Sequence, residues 1–335
     1  MGRGRIVNLA FLGTPEFAVP SLTRLHDAGH DIRLVLTQPD RPSGRGRQIR
    51  PGPVKREAQA RGLQVFQPEQ LDHPAVERIA ALGVDATVVV AYGLILPVSV
   101  LRLPSRGCIN LHASLLPRYR GAAPVAHAIL RGETRTGVTT LMMDEGIDTG
   151  PILLQRDCPI GPEETAGDVE RRLSEMGAVL LVETLRALAA GEISPRTQAI
   201  DRETYAPKIR PETARIPWER EATFITNLVR AMNPRPGAAT LLGSGHLKIW
   251  RVAAGPPRSG DETVAAPGTV LSGGAAPRVA CGEGGSVILL EMQMEGRRRV
   301  TGEEALRGRW VGPGDRFGEA TQAGGEDPGP ASPRL

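Results

Sequence analysis

From residue 6 to residue 190 the chain repeats one pattern: a short apolar run, a turn, an amphipathic stretch, and a residue that stops it, usually glycine. The apolar runs Ile6–Leu12, Asp31–Gln38, Leu63–Phe66, Ala86–Ala91, Gly107–His112, Val138–Met143 and Ile152–Leu154 read as strands. Several are apolar almost throughout, as strands buried on both faces must be. Between them, Val54–Arg61, Pro74–Leu82 and Pro124–Leu130 read as helices closed by Gly62, Gly83 and Gly132. Thr14-Pro15-Glu16 reads as the start of a helix ending near Gly29, and Thr165 as the cap of a long helix over Glu164–Ala190. Alternation of this kind predicts an α/β fold with an open, mostly parallel sheet and right-handed crossovers. Ligands of such sheets bind outside the carboxyl ends of the strands.

After Gly191 the pattern breaks. Residues 193–213 carry Pro195, Pro207 and Pro211 with little periodicity and read as a linker, ordered in part. One helix near Glu221–Met232 precedes short strands at Leu247–Val252, Gly268–Leu271, Arg278–Cys281 and Ser286–Met292. Short strands separated by Gly/Pro clusters predict a small β-barrel. The expected organisation is therefore a domain over 1–192, the linker, a barrel over 214–317, and a disordered tail over 318–335. Apolar residues make up 40% of the chain but aromatic ones only 3%, so both cores must be built from Leu, Val, Ile and Ala.

Composition excludes several classes. The three cysteines, Cys108, Cys158 and Cys281, are far apart, with no CxxC or His/Cys cluster, which argues against a disulfide framework or a metal centre and fits a reduced cytoplasm. No stretch approaches the ~20 apolar residues that span a bilayer. The basic-then-apolar start is a first strand rather than a signal, because Gly13-Thr14-Pro15 ends it. Nothing reads as a coiled coil or an obvious apolar interface, so a monomer is expected.

The stretch INLHASLLPRYRGAAPV, residues 109–125, holds the first candidates for chemistry. On a strand, Asn110 and His112 project from the same face. A carboxamide N–H can stabilise an oxyanion, and an imidazole can exchange a proton near neutral pH. The alternative is that both are hydrogen-bonded fillers at a strand end. In MMDEGIDTGPIL, Asp144 and Asp148 occupy a glycine-punctuated loop between strands. A carboxylate beside the histidine would orient it and favour its protonated form. Asp148 is the better candidate, and Asp144 reads as a turn residue. Pro117 and Pro124 make the following loop rigid, so Ser114, Leu115, Leu116 and Pro117 are candidates for a pocket wall.

Positive charge is concentrated in two places. The loop from Arg41 to Arg56 holds Arg41, Arg45, Arg47, Arg50, Lys55 and Arg56 and no acid. Arginines spaced along a long loop suit a nucleic-acid backbone, the alternative being a solvated charge run. It has no Walker ending, and no dinucleotide fingerprint follows the first strand. In the second half, Lys248, Arg251, Arg297, Arg298, Arg299, Arg307 and Arg309 would make a basic barrel surface. Trp218, Trp250 and Trp310 are too few for base stacking to be the evident mode, so backbone contact is expected. The histidines other than His112 look scattered and receive no role.

The stretches FLGTPEFAVPSL, TQPDRPSGRGRQIRPGPVK, INLHASLLPRYRGAAPV, DEGIDTGPIL, YAPKI, NPRPGA, LKIW and GRWVGPGDRF together resemble the folate-dependent formyltransferases over roughly residues 6–317, and among them the branch that acts on methionyl-tRNA. The resemblance implies a Rossmann-like formyltransferase domain followed by an OB-like tRNA-binding domain. It implies 10-formyltetrahydrofolate as donor, with no metal, and the α-amino group of methionyl initiator tRNA as acceptor. By the same resemblance Asn110, His112 and Asp148 are the catalytic set, Ser114–Pro117 line the folate pocket, and Arg41, Arg45, Arg47 and Arg50 meet the tRNA. An amino-sugar formyltransferase, a formyltetrahydrofolate hydrolase and an inert tRNA-binding protein are the competing readings. The two basic regions argue against the first, and the intact Asn/His/Asp set against the last.

Overall fold

The computed structural model describes residues 6–43 and 48–318. The chain forms two compact units, Met1–Ile209 and Arg210–Leu335.

In the first unit, strands β1 (Asn8–Gly13), β2 (Asp31–Leu36), a short hairpin of β3 (Arg41–Ser43) and β4 (Gln48–Arg50), β5 (Val65–Phe66), β6 (Ala86–Val90), β7 (Cys108–His112), β8 (Arg135–Met142) and β9 (Ile152–Pro159) follow one another. Helices α1 (Val19–Asp27), α2 (Pro53–Ala60), α3 (His73–Ala80), α4 (Val98–Leu101), α5 (Pro124–Leu130) and α6 (Ala166–Ala190) connect or follow them. The main sheet has the order β5-β2-β1-β6-β7-β8-β9. Its first five strands are parallel, while β8 runs antiparallel to β7 and to β9. The chain builds outward from β1 through β2 to β5, then returns to place β6 on the other side of β1. That reversal is the topological switch point where open α/β sheets bind ligands.

Burial follows the expected pattern. Leu9, Phe11 and Leu12 of β1 and Leu34, Val35 and Leu36 of β2 are fully buried, and a buried side chain of this size contributes about 1.5–3 kcal/mol. Helix α6 opens with a capping box: Thr165 accepts from the Asp168 N–H, and the Asp168 carboxylate accepts from Thr165 N–H. It braces the sheet so closely that a Cβ at Gly177 would lie 2.6 Å from Leu111 Cδ2. Leu111 therefore points toward α6, and by strand alternation Asn110 and His112 point to the opposite face.

Thr14 does not cap a helix. Pro15 is extended, a 3₁₀ turn covers Glu16–Ala18, and α1 starts only at Val19. The Thr14 hydroxyl instead donates to Tyr92 O at 2.9 Å and accepts from Gln38 N at 3.3 Å, tying together the segments that leave β1, β2 and β6. Residues 196–206, within the stretch read as a linker, are bound specifically inside the first unit. Arg196 pairs its backbone with Ile152, and Thr204 and Ala206 pair with Arg120.

The second unit contains α7 (Ala222–Met232), strands β10 (Ala238–Leu242), β11 (Gly245–Ala254), β12 (Val270–Leu271), β13 (Arg278–Ala280), β14 (Ser286–Met294) and β15 (Val300–Thr301), and the short helix α8 (Gly302–Arg307). Its antiparallel sheet has the order β10-β11-β14-β13-β12, with β15 on β14. Strands β10 and β15 and helix α8 are additional to those read from the sequence. Trp218 is buried, stacks on Phe317 at 5.4 Å, and donates to Thr240 Oγ1 at 2.9 Å. Trp250 is buried as well. Apart from Gly318, the tail read as disordered lies outside the described residues.

Candidate active site

Strand β7 delivers Asn110 and His112, and the β8–β9 loop folds back so that Asp148 meets both. The Asn110 carboxamide Nδ2 donates to Asp148 Oδ1 at 3.1 Å. Asp148 Oδ2 lies 3.4 Å from His112 Nδ1 and accepts the Gly121 backbone N–H at 2.8 Å. His112 Nε2 lies 2.9 Å from the Tyr119 carbonyl oxygen. Both ring nitrogens of a buried imidazole thus face oxygen atoms of the protein. Asp144 takes no part: its Oδ1 accepts from Gly146 N at 3.1 Å and from Thr149 Oγ1 at 2.6 Å, which makes it a turn residue.

Two residues that hold this geometry adopt left-handed backbone. Tyr119 has φ 60° and Asp148 φ 54°. Asp tolerates that region, whereas a bulky aromatic does so at a cost of about 1–3 kcal/mol. The surroundings offset it. Tyr119 is buried, its hydroxyl donates to Glu133 Oε1 at 2.7 Å, and the guanidinium groups of Arg118 and Arg131 each lie 5.3 Å from its ring centroid. Burial first, then Glu133, pushes the Tyr119 phenol above its ordinary pKa, so it remains a donor. Gly121 has φ 109°, and a Cβ there would lie 2.9 Å from the Ala206 carbonyl oxygen, so only glycine presents this N–H to Asp148.

The turn Ser114–Pro117 is pinned from the sheet side. Thr139 Oγ1 donates to Ser114 O at 2.6 Å and accepts from Leu116 N at 3.2 Å, while Gln155 Nε2 donates to Leu116 O at 2.9 Å. Ser114 Oγ donates to Arg118 O at 2.6 Å, and Leu116 packs with Leu141 and Ile152. The side chains of Ser114 and Leu116 are thus engaged in the protein's own structure. Ile147, next to Asp148, is 63% exposed and offers an apolar surface beside the carboxylate. The chain pattern gives no warning of it. Among the described residues no group of His, Cys, Asp and Glu could hold a metal ion. Nor is any helix there long and apolar enough to cross a membrane.

Of the arginines read as a nucleic-acid contact, Arg41 and Arg50 are exposed and directly opposite in the β3–β4 hairpin. Arg45 and Arg47, between these strands, lie outside the described residues. The hairpin's base is held where Lys55 of α2 donates to Asp40 and Gln67 Nε2 donates to Asp40 at 2.9 Å. In the second unit Lys248, Arg251, Arg297, Arg298, Arg299, Arg307 and Arg309 are exposed. Arg299 lies 3.6 Å from the Trp250 ring centroid and Arg297 5.2 Å from that of Trp310, so these rings carry arginines.

A mostly parallel sheet with an Asn/His/Asp cluster on one strand and the β8–β9 loop, followed by an antiparallel second unit, is the plan of a two-domain formyl transferase. The family described as "Formyl transferase" matches residues 5–185, and "Formyl transferase, C-terminal domain" matches residues 208–309. The chain belongs to the formyl transferase family. Within it, a methionyl-tRNA formyltransferase of Geotalea uraniireducens is 46% identical over 315 residues, covering 93% of this chain and 98% of its own length. Among solved structures, HypX from Aquifex aeolicus in complex with tetrahydrofolic acid superposes with a TM-score of 0.60 at 19% identity, over 90% of this chain and 47% of that one. A methionyl-tRNA formyltransferase from Clostridium thermocellum gives a TM-score of 0.55 at 17% identity, over 74% of this chain and 93% of its own. Both agree with the fold.

Proposed function

We propose that this chain transfers the formyl group of 10-formyltetrahydrofolate to the α-amino group of methionyl initiator tRNA. What supports the reading above all is that the likeness to methionyl-tRNA formyltransferases runs through both units, covering 93% of the chain. The site supplies chemistry of the right kind. An amide N–H, an imidazole and a carboxylate suit attack on a formamide carbonyl, and Asn110 and Asp148 are half-buried.

Asn110 uses the amide N–H not given to Asp148 to hold the formyl oxygen as the methionyl amine adds to its carbon. The folate supplies the formyl group on a nitrogen that leaves as an amine. Asp148 orients His112, which, when Nε2 leaves the Tyr119 carbonyl, delivers a proton to the folate nitrogen as its bond to the formyl carbon breaks and takes back the proton that the methionyl amine loses on becoming an amide. Effects of this kind are each worth about 10²–10⁴ in rate. Ser114–Pro117 shape the folate site through the backbone, and Ile147 faces the folate ring.

The first domain, 1–192, carries the chemistry. Residues 193–213, held against that domain over 196–206, lead on to an OB-like domain over 214–317 that contacts the tRNA backbone, and Arg41, Arg45, Arg47 and Arg50 approach the acceptor end. The enzyme works in the cytoplasm as a monomer. The test is to compare initiator tRNA with an amino-sugar nucleotide as acceptor between about 50 and 200 mM salt. Phosphate contacts make the tRNA reaction fall by about 10³-fold over that range. Turnover of the amino sugar alone, indifferent to salt, would overturn the reading.

A further inference from the structure

The carboxylate of Asp148 is held from the front by Asn110 and Gly121. Its backbone is held from behind by a residue in the Pro-rich stretch that follows α6. Gln198 Nε2 donates to Asp148 O at 2.8 Å and to Gly150 O at 2.7 Å, bracing both sides of the turn that contains the left-handed Asp148. Its amide cannot be turned round, because Gln198 Oε1 accepts from Arg120 Nε at 3.2 Å and from a terminal nitrogen of the same guanidinium at 2.8 Å. Arg120 in turn donates to Glu203. Gln198 and Arg120 are 5% and 4% exposed, so their polar groups are largely shielded from solvent.

Arg120 also lies between the two residues whose backbone groups touch the catalytic set. Tyr119 offers its carbonyl to His112, and Gly121 donates its N–H to Asp148. The backbone of Arg120 is fixed independently: its N–H donates to Thr204 O at 2.8 Å, and its carbonyl accepts from Ala206 N at 2.7 Å. One rigid link therefore joins the strap 198–206, the stretch 119–121 and the Asp148 turn.

We propose that Gln198, locked in orientation by Arg120, is a positioning residue that sets where the Asp148 carboxylate stands relative to Asn110 and His112. The proposal rests on the role assigned to Asp148 above. A buried amide with all four polar positions directed is costly to assemble, and removing either donor leaves a buried carbonyl unpaired. Without Gln198 the Asp148 turn keeps its carboxylate partners but not the two bonds that fix its height above β7.

The test uses Gln198→Glu and Gln198→Met, each in the parent and in an Asp148→Asn background. Glu keeps the acceptor for Arg120 but sets oxygen against the two carbonyls. Met keeps the volume and removes the polar groups. In the parent background kcat for formylation of methionyl initiator tRNA is expected to fall by roughly 10²-fold, the order expected when a reacting group is misplaced by about 1 Å. KM for tRNA and folate should stay within about threefold. In the Asp148→Asn background the same substitutions should cost less than about threefold more, because the group they position is gone. Gln198 variants whose thermal midpoint drops while kcat holds, or whose effects multiply in full on Asp148→Asn, would overturn the proposal and leave the role of Asp148 standing. Parent-like kcat in Asp148→Asn alone would overturn both.

Discussion

Asn110 Nδ2 donates to Asp148 Oδ1 across 3.1 Å, joining the middle of strand β7 to a loop 38 residues later in the chain. This bond makes one unit of a donor and a charge that the sheet order alone would leave apart. It leaves Asn110 one N–H for a ligand and fixes the direction in which that N–H points. It also places the carboxylate where its second oxygen reaches His112.

Asp148→Asn removes the charge and, because an amide has one acceptor oxygen where the carboxylate has two, also sets an NH2 against the Asn110 or the Gly121 N–H. Asn tolerates the left-handed φ of 54° as well as Asp does, so the fold is kept. The uncharged amide no longer places a carboxylate oxygen beside His112 Nδ1. We expect kcat for formyl transfer to fall by about 10²–10⁴ with a thermal midpoint near the parent's, as single-turnover kinetics and calorimetry would read. A rate within a few-fold of the parent would remove Asp148 from the mechanism.

The hairpin arginines should act on the tRNA and not on the folate. Replacing Arg41 and Arg50 together with Gln is expected to raise KM for tRNA and to lower the slope of log affinity against log salt by about two, near one for each phosphate no longer neutralised. KM for folate should be unchanged. Initial rates over a salt series measure both, and an unaltered slope would place these side chains away from the phosphates.

Helix α6 braces β7 from behind, so its cap matters to the site as well as to stability. Thr165→Ala removes the acceptor for the Asp168 N–H and is expected to cost about 1 kcal/mol, seen as a lower urea midpoint with an unchanged slope. Activity below the transition should be retained.

Lys55 holds the Asp40 carboxyl below its ordinary pKa, first through their hydrogen bond, with Gln67 assisting. A lowered folded pKa stabilises the protein above the ordinary carboxylate range, and that contribution fades as pH falls through the lowered value. Lys55→Met should therefore be less stable than the parent at neutral pH, by on the order of 1 kcal/mol for this half-buried pair. The two should converge in acid below the ordinary carboxylate value. Thermal midpoints from about pH 7 to about pH 3 check this, and a gap that widens toward acid would contradict it.

Much of the first unit is written in its punctuation. Pro124–Leu130 begins at proline and stops before Gly132, and both ends stand where the residues place them. The pairing of Asn110 with His112 follows from strand alternation, and an acid in a Gly-rich loop stands out. The rest is carried by groups that leave no mark in a sequence. Tyr119 and Gly121 act through a carbonyl and an N–H, and Gln198 sits among prolines with no periodicity to set it apart. Strand β10 is short, and only Thr240 in it is β-branched, so propensity does not reveal it. Helix α8 did have a signal: Thr301 and Glu304 form a capping box whose Thr-x-x-Glu spacing is visible in the chain.

The most direct test of the account is to incubate the purified protein with 10-formyltetrahydrofolate and methionyl initiator tRNA, deacylate, and assay formyl-methionine, with elongator methionyl-tRNA in parallel. The account predicts formyl-methionine from the initiator and little from the elongator. Folate turnover with water or an amino sugar, and none with initiator tRNA, would contradict it while leaving the Asn110–His112–Asp148 site in place.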